Sequence, residues 1–194
     1  MDTLVSSETY GNTTVEIHID LDAPDPRQEF DRAGVLVLFH RWMSLGDSHP
    51  FTAEDDLPKD IYEYYGHGSI LIPVYGMDHG AFYIRAGRSF SDVDPGGWDS
   101  GFLGWAVMPE EIIEGEFGGD RKMAVASLRG EIEEYAAYVS GDVFGYVVIN
   151  KHGEEVESCW GFYGTDLLEK EVARVARWYE EVTPDVPRNA FYMA

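Results

Sequence analysis

Val143-Phe144-Gly145-Tyr146-Val147-Val148-Ile149-Asn150, then Lys151-His152-Gly153, then Glu155-Val156-Glu157-Ser158-Cys159-Trp160: two strand-like runs flank a short connection that ends in glycine, which reads as a β-hairpin. A connection this short forces its strands antiparallel, because a parallel partner needs a crossover of a dozen residues or more. Hairpins joined in series, with helices gathered elsewhere, point to an α+β fold rather than a wound α/β one.

Reading outward from the hairpin, Asp166 to Val182 is a helix. Leu167, Val172, Val175 and Trp178 or Tyr179 form its packing face, Thr165 or Asp166 caps it, and Pro184 and Pro187 stop it. Before the hairpin, Arg121 to Val139 is a longer helix whose Val125, Leu128, Ile132, Tyr135 and Val139 mark one apolar stripe. Glu131, Glu133 and Glu134 are expected outside that stripe, and Gly141 suits the C-terminal cap. Pro109-Glu110-Glu111 opens a shorter helix, since proline is tolerated at the first helical position and acids favour the dipole there.

Further toward the N-terminus, Thr14 to Leu21 alternates Val15, Ile17, Ile19 and Leu21 against Glu16, His18 and Asp20, the pattern of a half-buried strand. Asp22-Ala23-Pro24-Asp25-Pro26 breaks it into a loop. Gly34 to Phe39 is continuously apolar after its glycine, as expected of a strand covered on both faces and lying near the sheet centre. Pro58 to Tyr65 predicts a short helix ended by glycine. Ser69 to Tyr75 and Ala81 to Ala86 predict two strands joined through Gly76 to Gly80, and Phe102 to Met108 a third. The sum is one domain over residues 1–194, with an antiparallel or mixed sheet of about six strands and helices mainly on one face.

Acidic residues number 36 against 14 basic ones, a formal net charge of −22. Such a surface repels phosphate backbones and anionic lipid, so neither direct nucleic-acid binding nor membrane binding is expected; a basic protein or a cation suits it better. The acidity has two readings that composition does not separate: solubility or salt adaptation, and imitation of a duplex's phosphate spacing. Cys159 is the one cysteine, which excludes an intrachain disulfide and points to a reducing compartment. No apolar run approaches the roughly 20 residues that span a bilayer, and Met1-Asp2 does not begin a signal peptide, so a cytoplasmic location is expected.

Three segments place polar groups beside aromatics and glycines: Tyr75-Gly76-Met77-Asp78-His79-Gly80, Trp98-Asp99-Ser100-Gly101 and Ser158-Cys159-Trp160-Gly161-Phe162-Tyr163-Gly164. At these positions the sequence resembles an uncharacterised family of proteins encoded by bacteriophages and integrated mobile elements. The resemblance runs over most of Thr14 to Gly164 and extends to His40-Arg41, Leu45-Gly46-Asp47 and Gly141-Asp142-Val143-Phe144-Gly145. It departs at Gly80, where the family pattern has serine, and through the enlarged acidic loop Asp92 to Gly97. What the resemblance implies is a viral or mobile-element protein working in the cytoplasm of a host cell.

Three kinds of site follow from these segments. Trp98, Trp160 and Tyr163 supply aromatic walls, and Asp78, His79, Asp99 and Ser100 polar selectivity, for a small ligand such as a nucleotide. Alternatively Cys159 is a nucleophile, His79 its base and Asp99 the group that orients the imidazole of a hydrolase. Against that, Cys159 ends an apolar run and reads more simply as a small buried hydrophobe, while the aspartate-histidine and tryptophan-aspartate segments read as turns.

Asp92, Asp94 and Asp99 invite a calcium reading, but Leu103 stands where an EF-hand closes with glutamate. His18, Asp20, Asp22 and Asp25 match no zinc motif, and no phosphate-binding glycine loop occurs, so no cofactor or metal is expected. The expectation is a noncatalytic acidic binding protein that inhibits a basic host factor.

Overall fold

A computed structural model of the chain describes residues 3–53 and 56–181. In chain order the elements are β1 (Leu4–Tyr10), β2 (Thr13–Ile19), α1 (Pro26–Glu29), β3 (Val35–Leu38), α2 (Leu57–Tyr65), β4 (Ile70–Asp78) and β5 (Phe82–Ala86). They continue as β6 (Ser100–Met108), α3 (Glu110–Gly115), α4 (Arg121–Ser140), β7 (Val143–Ile149), β8 (Glu155–Tyr163) and α5 (Asp166–Glu181). The chain divides into two compact units, Met1–Pro24 with Gly141–Ala194, and Asp25–Ser140 inserted in sequence between them.

The discontinuous unit is an antiparallel sheet of order β1-β2-β7-β8. Its middle strands meet across the inserted segment, with Val15 opposite Val148 and Ile17 opposite Tyr146. Alternation puts Val15, Tyr146 and Val148 on the face that receives Leu168, Val175 and Tyr179 of α5. Each such side chain removed from water is worth about 1.5–3 kcal/mol. The buried hydroxyls are satisfied as well, since Tyr146 and Tyr179 both donate to Glu157, at 2.9 and 3.2 Å.

The inserted unit is an antiparallel sheet of order β3-β6-β4-β5 covered on both faces. Leu36, Ala106 and Met108 join Leu128, Ile132 and Tyr135 of α4 in one cluster. The intervening Val37 and Val107 join Ile61 of α2 in another. Pro73 is tolerated inside β4 because β5 pairing starts only at Val74, so its missing N–H faces the end of the neighbouring strand, where its carbonyl accepts from Gly87 N–H at 2.7 Å.

A buried ion cluster closes the outer edge of β3. Asp25 caps α1 by accepting from Arg27 N–H, and α1 carries the Arg27 side chain, 2% exposed, inward. The guanidinium donates to both oxygens of Asp47 (3.0 and 2.6 Å), to Glu131 (2.7 Å) and to the Gly34 carbonyl (2.6 Å). Glu131 accepts from the amides of Ala33 and Gly34, and Asp47 accepts from Leu36 N–H at 2.6 Å and returns its own N–H to the Leu36 carbonyl. Burial works to lower the Arg27 pKa, but the hydrogen bonds to Asp47 and Glu131 outweigh it and leave the value raised, so the cation is secure.

The α+β class and the antiparallel pairing are as expected; the arrangement differs in ways that share one cause. Among the described residues, eight strands in two sheets of four replace one sheet of about six, and the helices are not gathered on one face. Strand periodicity records which faces are buried and carries no information on lateral neighbours. For the same reason β3, covered on both faces, lies at the sheet edge and not its centre. The expected strands begin at Thr14 and omit β1, an exposed edge element with little alternation, although the Gly11-Asn12 turn that joins it to β2 is a hairpin signal. In α5 Leu168 is buried while Leu167 is 65% exposed, and in α4 Glu131 is buried, not outside the packed stripe. Val182, Pro184 and Pro187 lie outside the described residues.

Candidate functional site

The aspartate-histidine turn and the tryptophan-aspartate-serine-glycine loop meet because β4 and β6 pair: Met77 lies opposite Ser100, Gly76 opposite Gly101 and Tyr75 opposite Phe102. One step beyond the ladder, Asp78 N–H donates to the Asp99 carbonyl at 2.8 Å. The side chains follow, and His79 Nδ1 and Asp99 Oδ2 lie 3.0 Å apart, 20 residues apart in sequence. A proton on Nδ1 in that bond leaves Nε2 as the outward-facing atom of an imidazole that is 77% exposed.

Asp94 holds this loop in shape. Its carboxylate accepts from the amides of Trp98, Asp99 and Ser100 and from the Ser100 hydroxyl at 2.8 Å. The hydroxyl bond and then the amides hold its carboxyl below the ordinary value of 3.8. The loop thereby presents Trp98 with 90% of its surface in water.

The segment after β3 joins the same region. Phe39 N–H donates to the Leu103 carbonyl at 2.8 Å, which carries the β3 chain along β6 and delivers His40 beside Phe82, ring centroids 5.0 Å apart. His40 Nδ1 accepts from the amides of Trp42 (3.3 Å) and Met43 (3.1 Å), which fixes the turn. Arg41 lies 4.5 Å over the ring of Trp42, itself 78% exposed. Together they line an open cleft of about 500 Å³, whose residues include His40, Arg41, Trp42, Asp78, Trp98 and Asp99.

Of the residues expected to bind ligand, Asp78, His79, Trp98, Asp99 and Ser100 thus share one region of the inserted unit. Trp160 and Tyr163 belong to the discontinuous unit, at the end of β8. There Trp160 lies flat on Gly145, where a Cβ would come within 2.2 Å of the indole, and 6.1 Å from the His18 ring. Tyr163 donates to the Pro24 carbonyl at 2.6 Å, and Asp20 accepts from Gly161 N–H, so this end of β8 is tied to the segment that follows β2.

The imidazole and carboxylate of the expected triad are hydrogen-bonded, while Cys159 stands on β8 of the other unit. Cys159 is exposed, which corrects its reading as a buried hydrophobe: β8 is a sheet edge, and the stretch from Ser158 to Gly161 faces solvent. The acids considered for calcium have other partners, Asp92 with Arg85 at 2.6 Å, Asp94 with its loop and Asp99 with His79. Among the described residues no group of three or more histidine, cysteine, aspartate or glutamate side chains could hold a metal ion. His40, Arg41 and Trp42 complete the cleft and were missed as binding residues, although His40-Arg41 stands among the segments that carry the resemblance. Comparison with protein-family models, with curated proteins and with solved structures finds no match to this chain. Among the described residues no helix is long and apolar enough to cross a membrane.

Proposed function

We propose that the chain is a noncatalytic binding protein of a virus or mobile element, acting in the host cytoplasm on a basic host protein, such as a defence or nucleic-acid-binding factor that it inhibits. The observation that carries this reading is the pair of tryptophans, 78% and 90% exposed, in the lining of one cleft. Leaving two indoles in water opposes the hydrophobic effect, and rigid aromatic anchors of this kind dominate protein interfaces. The net charge of −22 supports the choice of partner, since it accelerates encounter with a basic surface and repels nucleic acid.

The test is capture of a basic partner from host lysate at low and high salt, with the captured protein's DNA binding assayed as the purified chain is added. We expect capture at low salt, release at high salt, loss of the partner's DNA binding, and an affinity about thirtyfold weaker for the Trp42→Ala/Trp98→Ala double variant. Salt-insensitive capture, or tight sequence-specific association of the purified chain with DNA or RNA, overturns the reading.

A second reading, a small-ligand or nucleotide-sequestering protein, is favoured by the cleft's volume and by the presence of Arg41 with two exposed indoles in its lining, a set that could take a planar base and an anionic group together. Thermal-shift measurements against a nucleotide panel separate the two, because a ligand that binds the native state raises its melting temperature.

A further inference from the structure

The discontinuous unit has a cavity of its own, about 230 Å³, between α5 and the β1–β2 hairpin. Its apolar lining comes from Tyr10, Val15, Ile17, Val172 and Ala173, with Val15 only 2% exposed. Two carboxylates, Glu8 and Glu169, also line it, and among the described residues no basic side chain does. Glu8 accepts from the Tyr10 hydroxyl at 2.5 Å, whereas Glu169 has no side-chain partner among the described residues. The local field is negative enough to register on Tyr10, whose pKa is raised first by the hydrogen bond to Glu8, then by burial and by the charges of Glu8 and Glu180.

These features select a ligand class. A volume below the usual drug-sized range of about 300–1,000 Å³ admits a fragment-sized body. Apolar walls favour a hydrocarbon or aryl group in that space. The uncompensated carboxylates repel an anion and give a cation a charge-assisted hydrogen bond that a neutral group lacks. We propose that this cavity is a binding site for a small primary ammonium compound with a compact apolar body, such as an arylethylamine. The body packs against Val15, Ile17 and Val172, and the ammonium donates to Glu169, with Glu8 beside it. This site is independent of the cleft lined by Trp42 and Trp98.

The experiment titrates the ¹⁵N-labelled full chain at neutral pH with 2-phenylethylamine and, separately, with 2-phenylethanol, which has the same body without the charge. Saturable amide shifts at Val15, Ile17 and Val172 are expected, with the amine bound about fivefold or more tightly than the alcohol. Glu169→Gln, at an exposed helix position that leaves folding intact, reduces the amine to the affinity of the alcohol. Val172→Trp, which fills the cavity, removes both. Absence of saturation by the amine, equal affinities for the two compounds, or amine binding unchanged in Glu169→Gln overturns the proposal.

Discussion

Two polar assemblies in the inserted unit use the same chemistry to opposite ends. Around Arg27 the pairing is close to complete: two carboxylates and one carbonyl take four of the five guanidinium N–H groups, and Asp47 and Glu131 go on to accept from the amides of Leu36, Ala33 and Gly34. The His79–Asp99 pair is largely exposed, and Asp78, Arg41, Trp42 and Trp98 are exposed around it. A cluster so nearly closed has little left to offer a partner, and what it does is hold the β3 edge. An unsaturated one keeps donors, acceptors and apolar faces for something outside the chain. The difference teaches that charged residues in one fold divide by completeness of pairing rather than by residue type.

The largest expected effect breaks the Arg27 cluster. Arg27→Ala leaves Asp47 and Glu131 facing each other without a cation, and chemical denaturation should show a loss of about 3–5 kcal/mol. A loss under 1 kcal/mol would place the cluster in the same class as the exposed pair.

The cleft should respond in the opposite way. Asp99→Asn weakens an exposed side-chain hydrogen bond to His79 and should change stability by no more than about 1 kcal/mol, with Trp98→Ala within about 0.5 kcal/mol, both read from the same denaturation curves. A large destabilisation from either would turn the cleft into a structural element and remove the main support for a recognition site.

The smallest effect is local and pH-dependent. Asp94 has a folded pKa depressed by the Ser100 hydroxyl and the loop amides, so its contribution is present above the ordinary value of 3.8 and is lost as pH falls through the lower folded value. Trp98 fluorescence should therefore hold steady above that value and change only in the acid range below it, and Asp94→Asn should give the acid signal at neutral pH. A Trp98 transition near neutrality would point to another group as the loop's anchor.

Much of the fold was legible in the sequence because its signals are local. The β7–β8 hairpin, the α4 stripe of Leu128, Ile132 and Tyr135 and the glycine-ended α2 depend on turn chemistry and on periods of 2 and 3.6, which a window of a dozen residues contains. The site was legible in part for a similar reason, since Asp78, His79, Trp98, Asp99 and Ser100 lie in turns whose composition already set them apart. Trp42 escaped because an isolated tryptophan in a loop carries no sign of its exposure.

What the sequence by itself determined is the class: a strongly acidic α+β chain of hairpins and amphipathic helices, since composition and periodicity are properties of the chain alone. Only the tertiary structure decided that the strands form two sheets, that an apolar strand lies at an edge, and that Arg27 meets Glu131 across 104 residues. It also decided that one glutamate of α4 is buried while its neighbours are not. Those outcomes depend on which surfaces come together, and a pairing between distant segments leaves no trace in either segment read alone.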